Sequence, residues 1–287
     1  METVPQAFER FIQSLELTPL QRESAARQER VLADKLKRVL APSATFVSGS
    51  YGRNTAIRPL HDIDLFYVLA PAPVPPAQPP RAYLQRVRDA LKAEYQGKEP
   101  LLQNRSVNIE FAGTGIGFDI VPALEDPRQR EVYWIPDKAS GQWIRSNPRK
   151  HKESCDAANE RAGKKLKPLV KAVKRWNQLL QDKPVPSFLM EVMAYEAFRT
   201  PPPSYAEGLA ALFLFLSERI TRPCPEPAGL GPPVDASLSA GHRERARQAL
   251  VSAARKAKRA LESDRLGHPA DAHELWRELL GPDYRWR

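Results

Sequence analysis

Signals for β-structure begin at about residue 44 and stop after about residue 150, and this switch constrains the fold more than any other feature of the chain. Ala44 to Ser48 and Asp62 to Leu69 are rich in β-branched and aromatic residues and read as strands. Val107 to Phe111 and Ile116 to Val121 read as a strand pair joined through Gly113, Gly115 and Gly117, with a further short strand at Val132 to Ile135. After residue 150, segments 164–181, 187–199, 205–220, 242–264 and 270–280 carry the pattern of helices separated by Pro or Gly clusters. Residues 6–40 also have apolar residues at helical spacing, with a break expected near Pro19, and Arg81 to Tyr95 has a helical pattern. Six prolines between 71 and 80 suit neither sheet nor helix and predict an extended surface loop. The order predicts an α+β fold in two lobes with a cleft between them: residues 1–150, including the N-terminal helix, and helical residues 151–287.

The 287 residues are 42% apolar, which excludes disorder as the main state. The longest clean apolar run, Leu209 to Leu216, is too short to cross a bilayer as a helix, so no membrane partner is expected. The start Met1-Glu2-Thr3-Val4-Pro5 lacks a secretory pattern, and Cys155 and Cys224 have no companions for a disulfide framework or zinc site; a cytoplasmic protein with reduced thiols is expected. Lys and Arg number 44 against 34 Asp and Glu, a net charge of +10 that points to a polyanionic partner. Long nucleic acid, an anionic surface and phosphate-bearing small molecules all satisfy it.

Asp62 and Asp64 are two residues apart, so on a strand both carboxylates project from one face while Ile63, Leu65 and Tyr67 project from the other. Like charges that close repel, and a divalent metal makes the arrangement favourable. Asp119 interrupts the apolar run Phe118-Asp119-Ile120-Val121, and pairing that strand beside 62–69 would put three carboxylates around one point. Upstream, Gly49-Ser50 within Val47 to Arg53 places a hydroxyl and backbone N–H groups at a strand-to-helix turn suited to phosphate, although Ser50 also suits a helix N-cap. An isolated D-x-D equally suits a solvated strand edge. His61 has no Ser or Cys partner at a useful spacing and reads as a surface residue, and no Walker A sequence or dinucleotide fingerprint occurs.

On a helix starting near Pro168, Leu169, Val170, Val173, Trp176 and Leu180 form the apolar stripe, and Lys171 and Lys174 are neighbours on another face, where a solvated basic surface explains them equally well. Ser187 follows Pro186 at a helix start, which suits an N-cap, and Phe188 suits a core position.

Gly49-Ser50, Asp62-Ile63-Asp64 and Asp119 together resemble the signature of DNA polymerase β-like nucleotidyltransferases. Leu166 to Asn177 and Pro186 to Val192 are similar to the helical lobe of 2′-5′-oligoadenylate synthases and of their bacterial relatives, the CD-NTases of anti-phage (CBASS-type) defence, which also resemble cyclic GMP-AMP synthase. The likeness spans residues 1–220 and fades after them. It implies a mixed sheet flanked by helices, followed by a helical lobe. It also implies two Mg²⁺ ions, replaceable by Mn²⁺, held by Asp62, Asp64 and Asp119. Gly49, Ser50, Lys171, Lys174 and Ser187 would contact phosphate, and Phe188 would stack on the base. The activity implied is synthesis of a cyclic di- or trinucleotide from ATP and a further NTP, with regulatory or effector proteins as partners. A linear-product nucleotidyltransferase, making 2′-5′ oligoadenylates or extending RNA ends, would use the same acids, and a non-catalytic nucleic-acid-binding protein would use the charge alone. The His and Cys cluster of a zinc thumb is missing, so long nucleic acid is not expected as an activator.

Overall fold

The computed structural model describes residues 2–69 and 76–287. The first half of the proline-rich stretch expected as a loop, residues 71–75, lies outside the described residues. The chain divides into two compact units: residues 17–152 with 228–231, and the first 16 residues with 153–227 and 232–287.

In the first unit, helix α2 (Pro19–Leu40) leads through strand β1 (Ala44–Val47) and a single turn of helix, α3 (Gly49–Gly52), to β2 (Asp62–Val68). Helix α4 (Pro80–Glu94), β3 (Leu101–Leu102), β4 (Val107–Phe111), β5 (Ile116–Glu125), β6 (Tyr133–Asp137) and β7 (Gln142–Ser146) follow. These strands form one mixed sheet in the order β1-β2-β5-β4-β3, with β6 joined to β5 and β7 to β6. Only β2 and β5 pair in parallel, Asp64 opposite Asp119. One sheet face buries Ile63, Leu65 and Tyr67 in a core with Leu32 and Leu36 of α2 and Leu84 and Val87 of α4. On the opposite face Phe66, Val68, Val121, Ala123 and Ile135 form a smaller core, and the starts of β2 and β5 leave polar side chains uncovered beside it.

The second unit is helical: α1 (Val4–Leu15), α5 (Pro148–Arg161, whose first residues belong to the other unit), α6 (Leu166–Leu179), α7 (Ser187–Ala194), α8 (Tyr205–Arg219), α9 (Ala240–Arg265) and α10 (Pro269–Leu280). Thr3 and Gln6 close a capping box that starts α1, and Thr18 with Gln21 repeats it for α2, so the predicted break at Pro19 is a helix start in its own right. The expected grouping of the N-terminal helix with the β-rich half fails for its first turns. Phe8 and Phe11 are buried against Trp276 and Tyr284, with ring centroids of Phe8 and Trp276 4.8 Å apart, which ties α1 to the helical unit. Periodicity missed α5 because, after Pro148 at its start, its buried side chains are Cys155 and Ala158, too small and too few to mark a stripe. Among the described residues no helix is long and apolar enough to cross a membrane.

Candidate active site

At the start of β2 the chain alternates as anticipated: Asp62 is exposed, Ile63 buried and Asp64 half-buried. The parallel register then lays Gly117 beside Asp62 and Asp119 beside Asp64, so the three acids share one sheet face. The sheet makes room for them through glycine. A Cβ at Gly117 would stand 2.8 Å from Asp62 Oδ1. Gly49, at φ +58°, lies so near Asp64 that a Cβ there would overlap its carboxylate.

The turn between β1 and β2 is built on backbone hydrogen bonds. Ser48 N–H donates to Asp64 O at 2.8 Å, and Ser50 O accepts from the N–H groups of Thr55 and Ala56 at 2.8 and 3.0 Å. The N-cap position belongs to Ser48, which makes no side-chain capping bond, so the capping role suggested for Ser50 does not apply. Ser50 stands within the turn, beside Gly49.

Asp119 is strongly perturbed. Burial above all, together with the charges of Asp64 and Asp62, pushes its carboxyl up to about 6, against hydrogen bonds from Asn108 and Gln103 that pull the other way. Asn108 Nδ2 donates to Asp119 Oδ1 at 2.9 Å from directly across the antiparallel β4–β5 pair. Asn108 and Gly117 went unremarked as site residues in the sequence. The signal for Asn108 is the one that marks Asp119: a polar residue inside an apolar strand, Val107-Asn108-Ile109.

Among the described residues no group of three or more His, Cys, Asp or Glu side chains is assembled to hold a metal ion. The three carboxylates share a face without closing round one point. The donor chemistry still fits Mg²⁺, which takes hard oxygen ligands and commonly binds through one or two carboxylates completed by substrate phosphates. A divalent ion would also relieve the repulsion felt at Asp119.

In the helical unit Lys171 and Lys174 do not form a solvated basic face. They are 4% and 6% exposed, Lys171 pairs with Glu16 of the α1 end, and Lys174 pairs with the buried Glu191 of α7. Position three apart on α6 was legible, but the acidic partners, distant in sequence, were not. Ser187 is exposed as the first residue of α7, and Pro186 holds the N-cap position without a side-chain bond, which corrects the capping role suggested for Ser187. Phe188 is half-buried against the helical core. His61 is exposed, and its carbonyl accepts from Gly117 N–H at 2.5 Å.

A family model described as Second Messenger Oligonucleotide or Dinucleotide Synthetase domain matches residues 1–159. A cyclic AMP-AMP-AMP synthase of Acinetobacter sp. is 31% identical over 186 residues, covering 61% of this chain and 51% of that protein, so the matched region spans about half the relative's length. Solved structures share the fold. That of the E. coli CdnC:HORMA-deltaN complex has a TM-score of 0.78 at 19% identity, covering 98% of each chain. That of the Bradyrhizobium diazoefficiens CD-NTase CdnG with GTP has a TM-score of 0.81 at 15% identity, covering 99% of this chain and 96% of the other.

Proposed function

The chain belongs to the family of Second Messenger Oligonucleotide or Dinucleotide Synthetase domains, and from that premise we propose that it is a Mg²⁺-dependent nucleotidyltransferase that joins nucleoside triphosphates into a cyclic oligonucleotide. The observation that carries the reading is the shared face of Asp62, Asp64 and Asp119 beside the Gly49-Ser50 turn. The name of the matched Acinetobacter protein favours a ring of three adenylates, with ATP as the substrate.

The reaction forms a bond from an acceptor hydroxyl oxygen to the α-phosphorus of a donor nucleotide and breaks the bond to pyrophosphate, while the hydroxyl loses its proton. Mg²⁺ ions, or Mn²⁺ in their place, supply Lewis-acid stabilisation of the entering and leaving oxygens when bound. Asp62, Asp64 and Asp119 would hold them. The half-buried position of Asp64, wedged against Gly49, fixes one carboxylate without rotamer freedom, and Asn108 orients the carboxylate of Asp119. Gly49 and Ser50 would bind phosphate at the turn. Lys171 and Lys174 are assigned to the triphosphate by the same reading, with Ser187 at the phosphates and Phe188 at the base. Each lysine already has a carboxylate partner that orients it in its buried position. Defence against phage is the biological setting this class implies. A regulatory protein is the corresponding partner, the E. coli structure being a complex of CdnC with HORMA-deltaN.

Incubation with labelled ATP and other NTPs in Mg²⁺ or Mn²⁺, followed by phosphatase, tests the proposal, and mass spectrometry reads linkage and ring size. A phosphatase-resistant product made by the wild type and not by Asp62→Ala is expected. Only phosphatase-sensitive products, or extension of an RNA primer, would overturn ring closure.

A further inference from the structure

Helices α8 and α9 pack together in the helical unit, and an open apolar groove of about 400 Å³ lies between them. Neither helix carries a residue assigned to the reaction, so the groove is separate from the site described above. Its α8 wall is Ala210, Ala211 and Leu214, and its α9 wall is Val251, Ala254 and Leu261. The core takes a different side of each helix, with Leu209, Leu212, Phe213 and Leu216 of α8 and Leu250, Ala253 and Ala257 of α9 buried in it. The groove is therefore a second apolar face left open beside the core, and Leu214 on it is 55% exposed. A helix that is apolar beyond its core stripe has a further surface to bury, and contiguous apolar surface with a polar rim marks an interaction site.

The charges on the rim select what fits. Elsewhere on α9, Arg243, Arg247 and Lys256 pair with Asp235, Glu244 and Glu278. Arg255 and Lys258, exposed on the groove wall, have no acidic partner among the described residues. The wall's own acid, Glu207, is engaged at the start of α8, where it accepts from Ser204 Oγ at 2.8 Å. The shape selects as well. From Glu207 to Ser217 the groove follows α8 for about 15 Å at 1.5 Å per residue. Two packed helices leave a trough into which the ridge of a third fits, and small walls such as Ala210, Ala211 and Ala254 let its backbone approach closely.

We propose that the groove between α8 and α9 binds an amphipathic helix of a partner protein, apolar on its buried face and acidic along the edge that meets Arg255 and Lys258. Burial of the apolar anchors, spaced at i, i+4 and i+7, supplies the affinity. The acids supply selection over neutral and basic helices, because a basic edge would set like charges against Arg255 and Lys258. None of this depends on the synthase reading.

The test titrates the full chain against two synthetic, fluorescein-labelled helices of about 18 residues that share one leucine stripe and carry either Glu or Lys along its edge. Anisotropy should show one-to-one saturable binding of the Glu peptide and binding of the Lys peptide weaker by about tenfold or more. Leu214→Glu should weaken the Glu peptide by at least as much, and the double variant Arg255→Glu/Lys258→Glu should reverse the preference between the peptides. All three side chains are exposed, so the fold should survive, as melting curves verify. Leu101→Glu, at a leucine 62% exposed in the sheet-bearing unit, should bind as the wild type does. Binding of neither peptide, equal binding of both, or binding untouched by Leu214→Glu and by the double variant would overturn the proposal. A wild-type dimer in sedimentation that Leu214→Glu converts to monomer would also overturn it, since the groove would then hold a second copy of the chain. Product formation is not the readout, so a chain that binds the Glu peptide but makes no cyclic product would refute the synthase reading alone.

Discussion

Replacing Asp119 by Asn should stabilise the protein while abolishing its proposed chemistry, and the size of the gain is set by the environment of one carboxyl. Asn keeps the shape of the side chain and an oxygen that can accept from Asn108 Nδ2. It removes a charge that is partly buried and that faces two other acids. The Asp119 carboxyl stands at about 6 in the folded protein against an ordinary 3.8. At about 1.4 kcal/mol per pK unit, ionising it costs the native state up to about 3 kcal/mol, and partial solvent screening makes about 1–3 kcal/mol the expected range. The sign follows from proton binding. Between its ordinary value and about 6 the native state holds the proton more tightly than the unfolded chain, so rising pH lowers stability through that window. The Asn variant lacks this loss. Thermal melts in EDTA should therefore show a difference near zero at the acid edge of the window, growing to its full value above it. Each kcal/mol corresponds to about 2–4 °C for a unit of this size. Adding Mg²⁺ should narrow the difference, because the ion stabilises the carboxylate form that binds it. Equal or lower stability of Asp119→Asn at pH 8 in EDTA would refute the assignment of strain to this carboxyl.

Gly49→Ala forces a Cβ onto the Asp64 carboxylate in a left-handed backbone region. It should cost about 1–2 kcal/mol in a denaturant melt and lower product formation about a hundredfold, since the acid must shift. Glu191→Ala leaves the buried Lys174 without its α7 carboxylate and should destabilise the protein by about 3 kcal/mol, read as a lower urea midpoint. Phe8→Ala empties the space against Trp276 and Tyr284 and should cost about 3–5 kcal/mol in urea unfolding; a loss under 1 kcal/mol would show that α1 contributes little to the helical unit.

Most strands and most helices were legible because their side chains obey a period: Asp62-Ile63-Asp64-Leu65 alternates on β2, and Leu169, Val170, Val173 and Trp176 follow the turns of α6. Where the period is faint, reading stopped. The polar α5, the two-residue β3 and the strand β7 were invisible, and Phe8 and Phe11 announced a buried face without saying which unit buries it. The candidate site divides along the same line. Local spacing alone set Asp62 and Asp64 on one side of a strand and Gly49 beside Ser50 in a turn. Parallel pairing of β2 with β5, which brings Asp119 opposite Asp64, is a contact between residues more than fifty apart. So are the Glu16 partner of Lys171 and the ring cluster that claims α1. Periodicity records which way each side chain points from its own element, whereas the neighbour it meets depends on how distant elements pack, and that only the tertiary structure decided.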